Sequence, residues 1–272
     1  MEMEETFDFG EFDIPAVERP PAAVPEPSAS AGNVRKRAAV VIFVIDISGS
    51  MKGARIRAVN NAIRDVLAEL RQKETSTSST EIRIAVLEFS TRAHWRTIYP
   101  ESVGTFVWRD IEQVSGGTNY GQAFAALDEK LTEQQFMNAP AGAYPPLIVF
   151  LTDGPPSDRG LYREELASLG ENPWFRSAVR AGIAIEEGAL SEDCQHALTE
   201  FTEDENSVYP ATNLVTLARQ IRTVTLRGVD SVTRQDPSPP IASPITPTNP
   251  TYEETAPTLP LGKIDWDSDF SF

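Results

Sequence analysis

Asp46, Ser48 and Ser50 occupy alternate positions of the run Asp46-Ile47-Ser48-Gly49-Ser50, directly after a continuously apolar stretch. In an extended turn that spacing sends three oxygen-bearing side chains to the same side. Two further polar groups stand in a similar setting, Gly116-Gly117-Thr118-Asn119 at a turn and Thr152-Asp153-Gly154 after another apolar run. Thr118 adds a hydroxyl and Asp153 a carboxylate. An all-oxygen set suits a hard cation, and so few protein ligands suit octahedral Mg²⁺ with waters better than Ca²⁺, which takes six to eight oxygens. Mn²⁺ is the natural substitute. Only Asp46 and Asp153 carry charge in this set, so the ion stays electrophilic and keeps a position for a carboxylate from another protein. Gly49, Gly116, Gly117 and Gly154 are expected to let the backbone approach closely.

Three such groups meet only if the chain between them brings the ends of several strands together. Apolar runs of strand length alternate with stretches of helical period, the pattern of a parallel sheet covered by helices, an α/β fold. Ala38 to Asp46 (AAVVIFVID) is continuously apolar, as a strand buried on both faces should be. Ile56, Val59, Ile63, Val66, Leu67 and Leu70 follow on one face of a helix. Ile82 to Phe89 reads as a second strand, and Ala93 to Ile98 follows so closely that an antiparallel hairpin at a sheet edge is expected. Phe124, Leu127 and Leu131 mark a helix, Leu147 to Thr152 and Ala178 to Ile185 are strands, and helical patterns at Cys194 to Phe201 and Leu214 to Ile221 flank a short strand at Ser207 to Tyr209. In an open sheet of this kind ligands bind where strands turn into helices, and all three polar groups belong there.

These residues carry a family resemblance. D-x-S-x-S after the first strand, the central Thr of GGTNYG and TDG after a later strand resemble the metal-ion-dependent adhesion site of the von Willebrand factor A (VWA) family, over roughly Ala38 to Ile221. The resemblance implies a three-layer α/β/α, Rossmann-like fold with a mostly parallel central sheet and one antiparallel edge strand. It also implies that Ser48 and Ser50 bind metal directly, Thr118 directly or through water, and Asp46 and Asp153 mainly through water. The single-domain, tail-bearing form, with its SGSM, GGT and TDGPPSD, looks like the bacterial TerY-type proteins of tellurium-resistance operons. That likeness implies a Ser/Thr protein kinase and a PPM-type phosphatase as partners, in a stress-response or signalling assembly.

Composition sets the surroundings. With 272 residues, 40% hydrophobic, the chain can bury one sizeable core. Residues 1–33 hold eight acids, one base and five prolines; residues 229–272 hold seven acids, two bases and eight prolines. Both are too polar and Pro-rich to pack alone and read as disordered tails. They carry −7 and −5 of the formal −16, so the expected VWA domain at 34–228 keeps an ordinary surface of −4. The charge argues against nucleic acid and anionic membrane as partners, since both attract clustered Lys and Arg. Cys194, the single cysteine, permits no internal disulfide, the N-terminus is acidic where a secretory signal is basic, and no apolar run approaches a membrane span. A cytoplasmic protein is expected. Both tails interleave aromatics with acids, at Phe7 to Asp13 and Asp265 to Phe272, as docking motifs do, and Ser238-Pro239, Ser243-Pro244 and Thr246-Pro247 offer phosphorylation sites.

The expected function is a non-catalytic, metal-dependent adaptor that grips an acidic residue of a partner. A metal-dependent phosphohydrolase and a VWA subunit of a chaperone-like ATPase or chelatase are the alternatives; a dehalogenase-type phosphatase would need an aspartate where Ser48 stands. His94 and His196 lack a second His or Cys at metal spacing, and Cys194, Trp95 and Trp108 read as packing residues. The segment from Pro155 to Phe175, with Tyr162, Arg163, Trp174 and Phe175, leaves the strand at the metal face and reads either as an interface or as a lid packed on the domain.

Overall fold

The computed structural model describes residues 36–77 and 79–234. Of the tails expected from composition, residues 1–33 and 235–272, which hold the aromatic-acidic motifs and the Ser/Thr-Pro sites, lie outside the described residues.

Among the described residues, a seven-stranded sheet forms the middle layer. Its strands are β1 (Arg37–Asp46), β2 (Thr80–Phe89), β3 (Ala93–Trp95), β4 (Glu101–Ser102), β5 (Leu147–Thr152), β6 (Val179–Ile185) and β7 (Val208–Ala211). The spatial order is β3-β2-β1-β5-β6-β7, with β4 also on β2. β1 pairs in parallel with β2 and β5, as do β5 with β6 and β6 with β7. The antiparallel edge is built by two short segments instead of one. β3 pairs with the end of β2 and β4 with its middle, Arg83 opposite Ser102. The expected strand at 93–98 stops at Trp95, because Val86 then donates its N–H to the Thr97 hydroxyl rather than to a backbone carbonyl.

Among the described residues, seven helices cover the sheet: α1 (Ala54–Ser76), α2 (Tyr120–Lys130), α3 (Leu161–Gly170), α4 (Pro173–Ser177), α5 (Glu187–Leu190), α6 (Glu192–Thr202) and α7 (Leu214–Arg234). The alternation of β1 shows why its whole run is apolar. Ala39, Val41, Phe43 and Ile45 pack on one side among residues of α1 and α7, while Ala38, Val40, Ile42 and Val44 pack on the other among residues of α2, α3 and α6. Each fully buried Val, Leu, Ile or Phe contributes roughly 1.5–3 kcal/mol. Three layers result, as the sequence pattern requires.

α7 continues past Gly228, where the composition changes, and buries Val229 and Val232 before ending at Arg234. Its apolar stripe of Leu217, Ile221, Val224 and Val232 persists through polar neighbours, so packing extends the helix beyond the expected boundary. The long segment between β4 and α2 has no regular structure. Buried Asn60 fixes it by accepting from Ile111 N and donating to Ile111 O, and Arg71 donates to the carbonyls of Val103 and Phe106.

Candidate metal centre

β1 ends at Asp46, and the chain then turns through a short 3-10 segment, Gly49–Met51, before α1. Asp46 Oδ1 accepts the Ser48 N–H at 2.7 Å, closing the turn, and Asp46 Oδ2 accepts the Thr152 hydroxyl at 2.7 Å. Ser48 Oγ and Ser50 Oγ lie 3.1 Å apart, and Ser50 Oγ donates to Asp153 Oδ1 at 2.7 Å. Asp46, Ser48, Ser50 and Asp153 are therefore one connected cluster at the strand ends. Thr118 is brought beside it without joining it: its loop docks through Gly49 N to Gly116 O (3.1 Å) and Ser115 N to Ile47 O (2.8 Å), yet its hydroxyl bonds none of the other four.

Asp46 is fully buried and makes no ion pair among the described residues. Burial pushes its carboxyl up to about 6, against hydrogen bonds from Thr152 and Ser48 that pull it down, and the nearby Asp153 charge pushes the same way as burial. A carboxylate shut away from water and without an ion pair of its own among the described residues fits a bound cation nearby, and the hydroxyls around it supply neutral oxygen donors. The residues present thus fit the ion that the motif implies.

Three residues from two loops hold the Thr118 segment in place. Ser157 clamps it from both sides, with Oγ accepting the Thr118 N–H and its own N–H donating to Thr118 O, both at 2.9 Å. Asp158 caps α2, accepting from Tyr120 N (3.2 Å) and Gly121 N (2.9 Å), where Asn119 at the cap position does not. Thr91, in the turn after β2, accepts Gly117 N at 3.0 Å. Gly116, at φ +93°, is required here, since a Cβ would lie 2.7 Å from Thr91 Oγ1. Gly49 and Gly154 meet no such restriction. Replacing Ser157 by Ala removes both the Thr118 acceptor and the bond to Asn119. We expect a loss of about 1 kcal/mol in urea unfolding and a smaller Mg²⁺-induced rise in Tm, with circular dichroism unchanged.

Arg55, on the first turn of α1, was not among the expected site residues. It donates to Asp153 Oδ2 (2.8 Å), the Ser50 carbonyl (2.9 Å), Glu186 Oε2 (2.5 Å) and Glu187 Oε2. Ser157 and Asp158 close the run TDGPPSD. Their signal was the Asp that follows a Pro-rich turn and stands free to cap a helix elsewhere.

The remaining candidates fall into place as packing. Tyr162 and Phe175 are buried and Trp174 is half-buried against the same core, so the segment after Gly154 is a packed part of the domain, and only Arg163 of the four stays exposed, bonded to Glu200. Cys194 is buried and its thiol is pushed up to about 12 by burial, which leaves it inert as a nucleophile. His94 pairs with Glu88 and His196 with Glu200.

A mostly parallel sheet between helical layers, with an all-oxygen cluster where β1 and β5 end, defines a VWA-type domain. The family model for the von Willebrand factor type A domain matches residues 41–219, and the chain belongs to that family. Inter-alpha-trypsin inhibitor heavy chain H2 from Mesocricetus auratus is 30% identical over 123 residues, and that from Mus musculus 29%. Each match covers 43% of this chain and 12% of the relative. Among solved structures, the pilus adhesin SpaC from Lactobacillus rhamnosus GG superposes with a TM-score of 0.56 at 10% identity, covering 73% of this chain and 32% of that one. The PilB minor pilin from Streptococcus sanguinis gives 0.53 at 15% identity, over 75% and 64% of the two chains. Proximal thread matrix protein 1 from the mussel byssus gives 0.51 at 14%, over 70% and 48%. At these identities the structures share the fold, and this chain spans less than two thirds of each. Among the described residues no helix is long and apolar enough to cross a membrane.

Proposed function

We propose that this protein is a non-catalytic adaptor whose VWA domain holds a divalent cation, Mg²⁺ or Mn²⁺, and grips an acidic residue of a partner protein through it. The observation that carries the reading is the buried Asp46 carboxylate without an ion pair, joined through Ser48 and Ser50 to Asp153. When bound, the cation supplies an electrophilic point that a partner's carboxylate completes. The chain's own part is to orient the donors: Asp46 fixes the turn that presents Ser48 and Ser50, and Ser157 holds the backbone of Thr118 beside them.

By its likeness to the TerY-type proteins, the adaptor works in the cytoplasm, in a stress-response or signalling assembly with a protein kinase and a PPM-type phosphatase. The decisive experiment is calorimetric titration with Mg²⁺ and Mn²⁺, followed by pull-down from native lysate with the full chain, Asp46→Ala and Thr118→Ala, in metal and in chelator. Wild type should give heat, and the partners it retains should be lost in all three perturbations. Absence of heat from wild type sinks the metal reading, and release of phosphate from phosphopeptides would overturn the non-catalytic one.

A further inference from the structure

Arg55 places a guanidinium against the candidate site itself. Its side chain is only 19% exposed, and it meets Asp153, whose own side chain is 0% exposed, together with Glu186 and Glu187. Asp153 is thereby divided: Oδ1 faces Ser50 and the hydroxyl cluster, while Oδ2 is committed to Arg55 Nη1. The arginine is held from the far side as well. Glu186 is the N-cap of α5 and Glu187 its first residue, and Gly188 in that first helical turn packs against the Asp153 backbone. Arg55 thus lies between two negative neighbourhoods, the site carboxylate on one side and a glutamate pair on the other.

Electrostatics give the arrangement a direction. A cation beside Asp153 Oδ1 shares that carboxylate with a fixed positive charge, so each weakens the other's hold. Glu186 and Glu187 draw part of the guanidinium's charge away and moderate the effect. We propose that Arg55 sets the cation affinity of the site, lowering it by neutralising Asp153, and that Glu186 and Glu187 partly restore it. The inference rests on the metal reading above and extends it to residues outside the motif. It makes the cation exchangeable rather than permanently bound, which is what a switchable grip on a partner needs.

Opposite signs in two variants provide the test. In the full chain, Arg55→Gln should bind Mn²⁺ about tenfold more tightly by calorimetry, because a like charge beside the ion is gone. The double variant Glu186→Gln/Glu187→Gln should bind it about tenfold more weakly, because Arg55 then acts on Asp153 unopposed. A residue with a merely structural role would weaken binding when removed. Weaker or unchanged binding by Arg55→Gln therefore overturns the proposal; if that variant fails to fold, the double variant decides alone, and unchanged or tighter binding by it does the same. Wild type that binds no Mn²⁺ sinks the metal reading and this inference with it, whereas wild-type binding with either wrong sign sinks only this one.

Discussion

Asp46→Asn is expected to make the metal-free protein more stable than wild type at neutral pH, by on the order of 3 kcal/mol. The fully buried carboxyl is raised from 3.8 to about 6, mainly by burial. A carboxyl whose folded pKa lies above its unfolded value favours the native state most when protonated. Its contribution is present below about 4, is lost as pH rises to about 6, and stays lost above that. Asparagine keeps the neutral form at every pH and loses little geometry. Its carbonyl still accepts from Ser48 N, and the Thr152 hydroxyl can turn to accept from the amide while donating to Gly154 O, already 3.1 Å away.

Urea unfolding in chelator should therefore show the two proteins nearly equal at about pH 4 and wild type progressively weaker towards pH 7. Saturating Mg²⁺ should narrow or reverse the gap, because only wild type offers the anion, and a ligand at a hundred times its Kd adds about 2.7 kcal/mol. If Asp46→Asn were the less stable protein in chelator at pH 7, the carboxylate would have a cationic or solvent partner, and the argument for a bound cation would fail.

The residues of this centre were unequally visible in the sequence. Asp46, Ser48 and Ser50 could be placed because they share one short turn after a strand whose continuous apolar run admits only a doubly buried position. Asp153 follows the same logic at β5. Arg55 and its acids could not, since Glu186 and Glu187 are 131 and 132 residues away and come together only through the crossovers of the sheet. For the same reason the Ser157 clamp on Thr118 was hidden, while β4, two residues long, carries too little periodicity to read. The end of α7 was missed for another reason: Thr225 and Gly228 interrupt its apolar stripe, and their burial is a property of what they pack against.

Gly188→Ala should cost about 1–3 kcal/mol and blunt the response to Mg²⁺, although alanine is the better helix former by about 1 kcal/mol. No unusual φ requires glycine at this position; the space does. A Cβ there would lie 2.8 Å from the Asp153 carbonyl carbon, 3.0 Å from its oxygen and 3.1 Å from its Cα. Those are backbone atoms of the residue directly after β5, and they cannot swing aside as a side-chain tip would. The strain must move either the Glu186–Gly188 turn or Asp153. Moving the turn loosens the Arg55 contacts to Glu186 and Glu187, and moving Asp153 draws Oδ1 away from Ser50 Oγ. Both routes reach the centre from a residue that touches no proposed ligand side chain. Thermal unfolding with and without Mg²⁺ reads the two consequences separately: a lower Tm in chelator reports the strain, and a smaller Mg²⁺-induced rise reports the displaced donor. An unchanged Tm would mean the turn yields freely and does not brace Asp153.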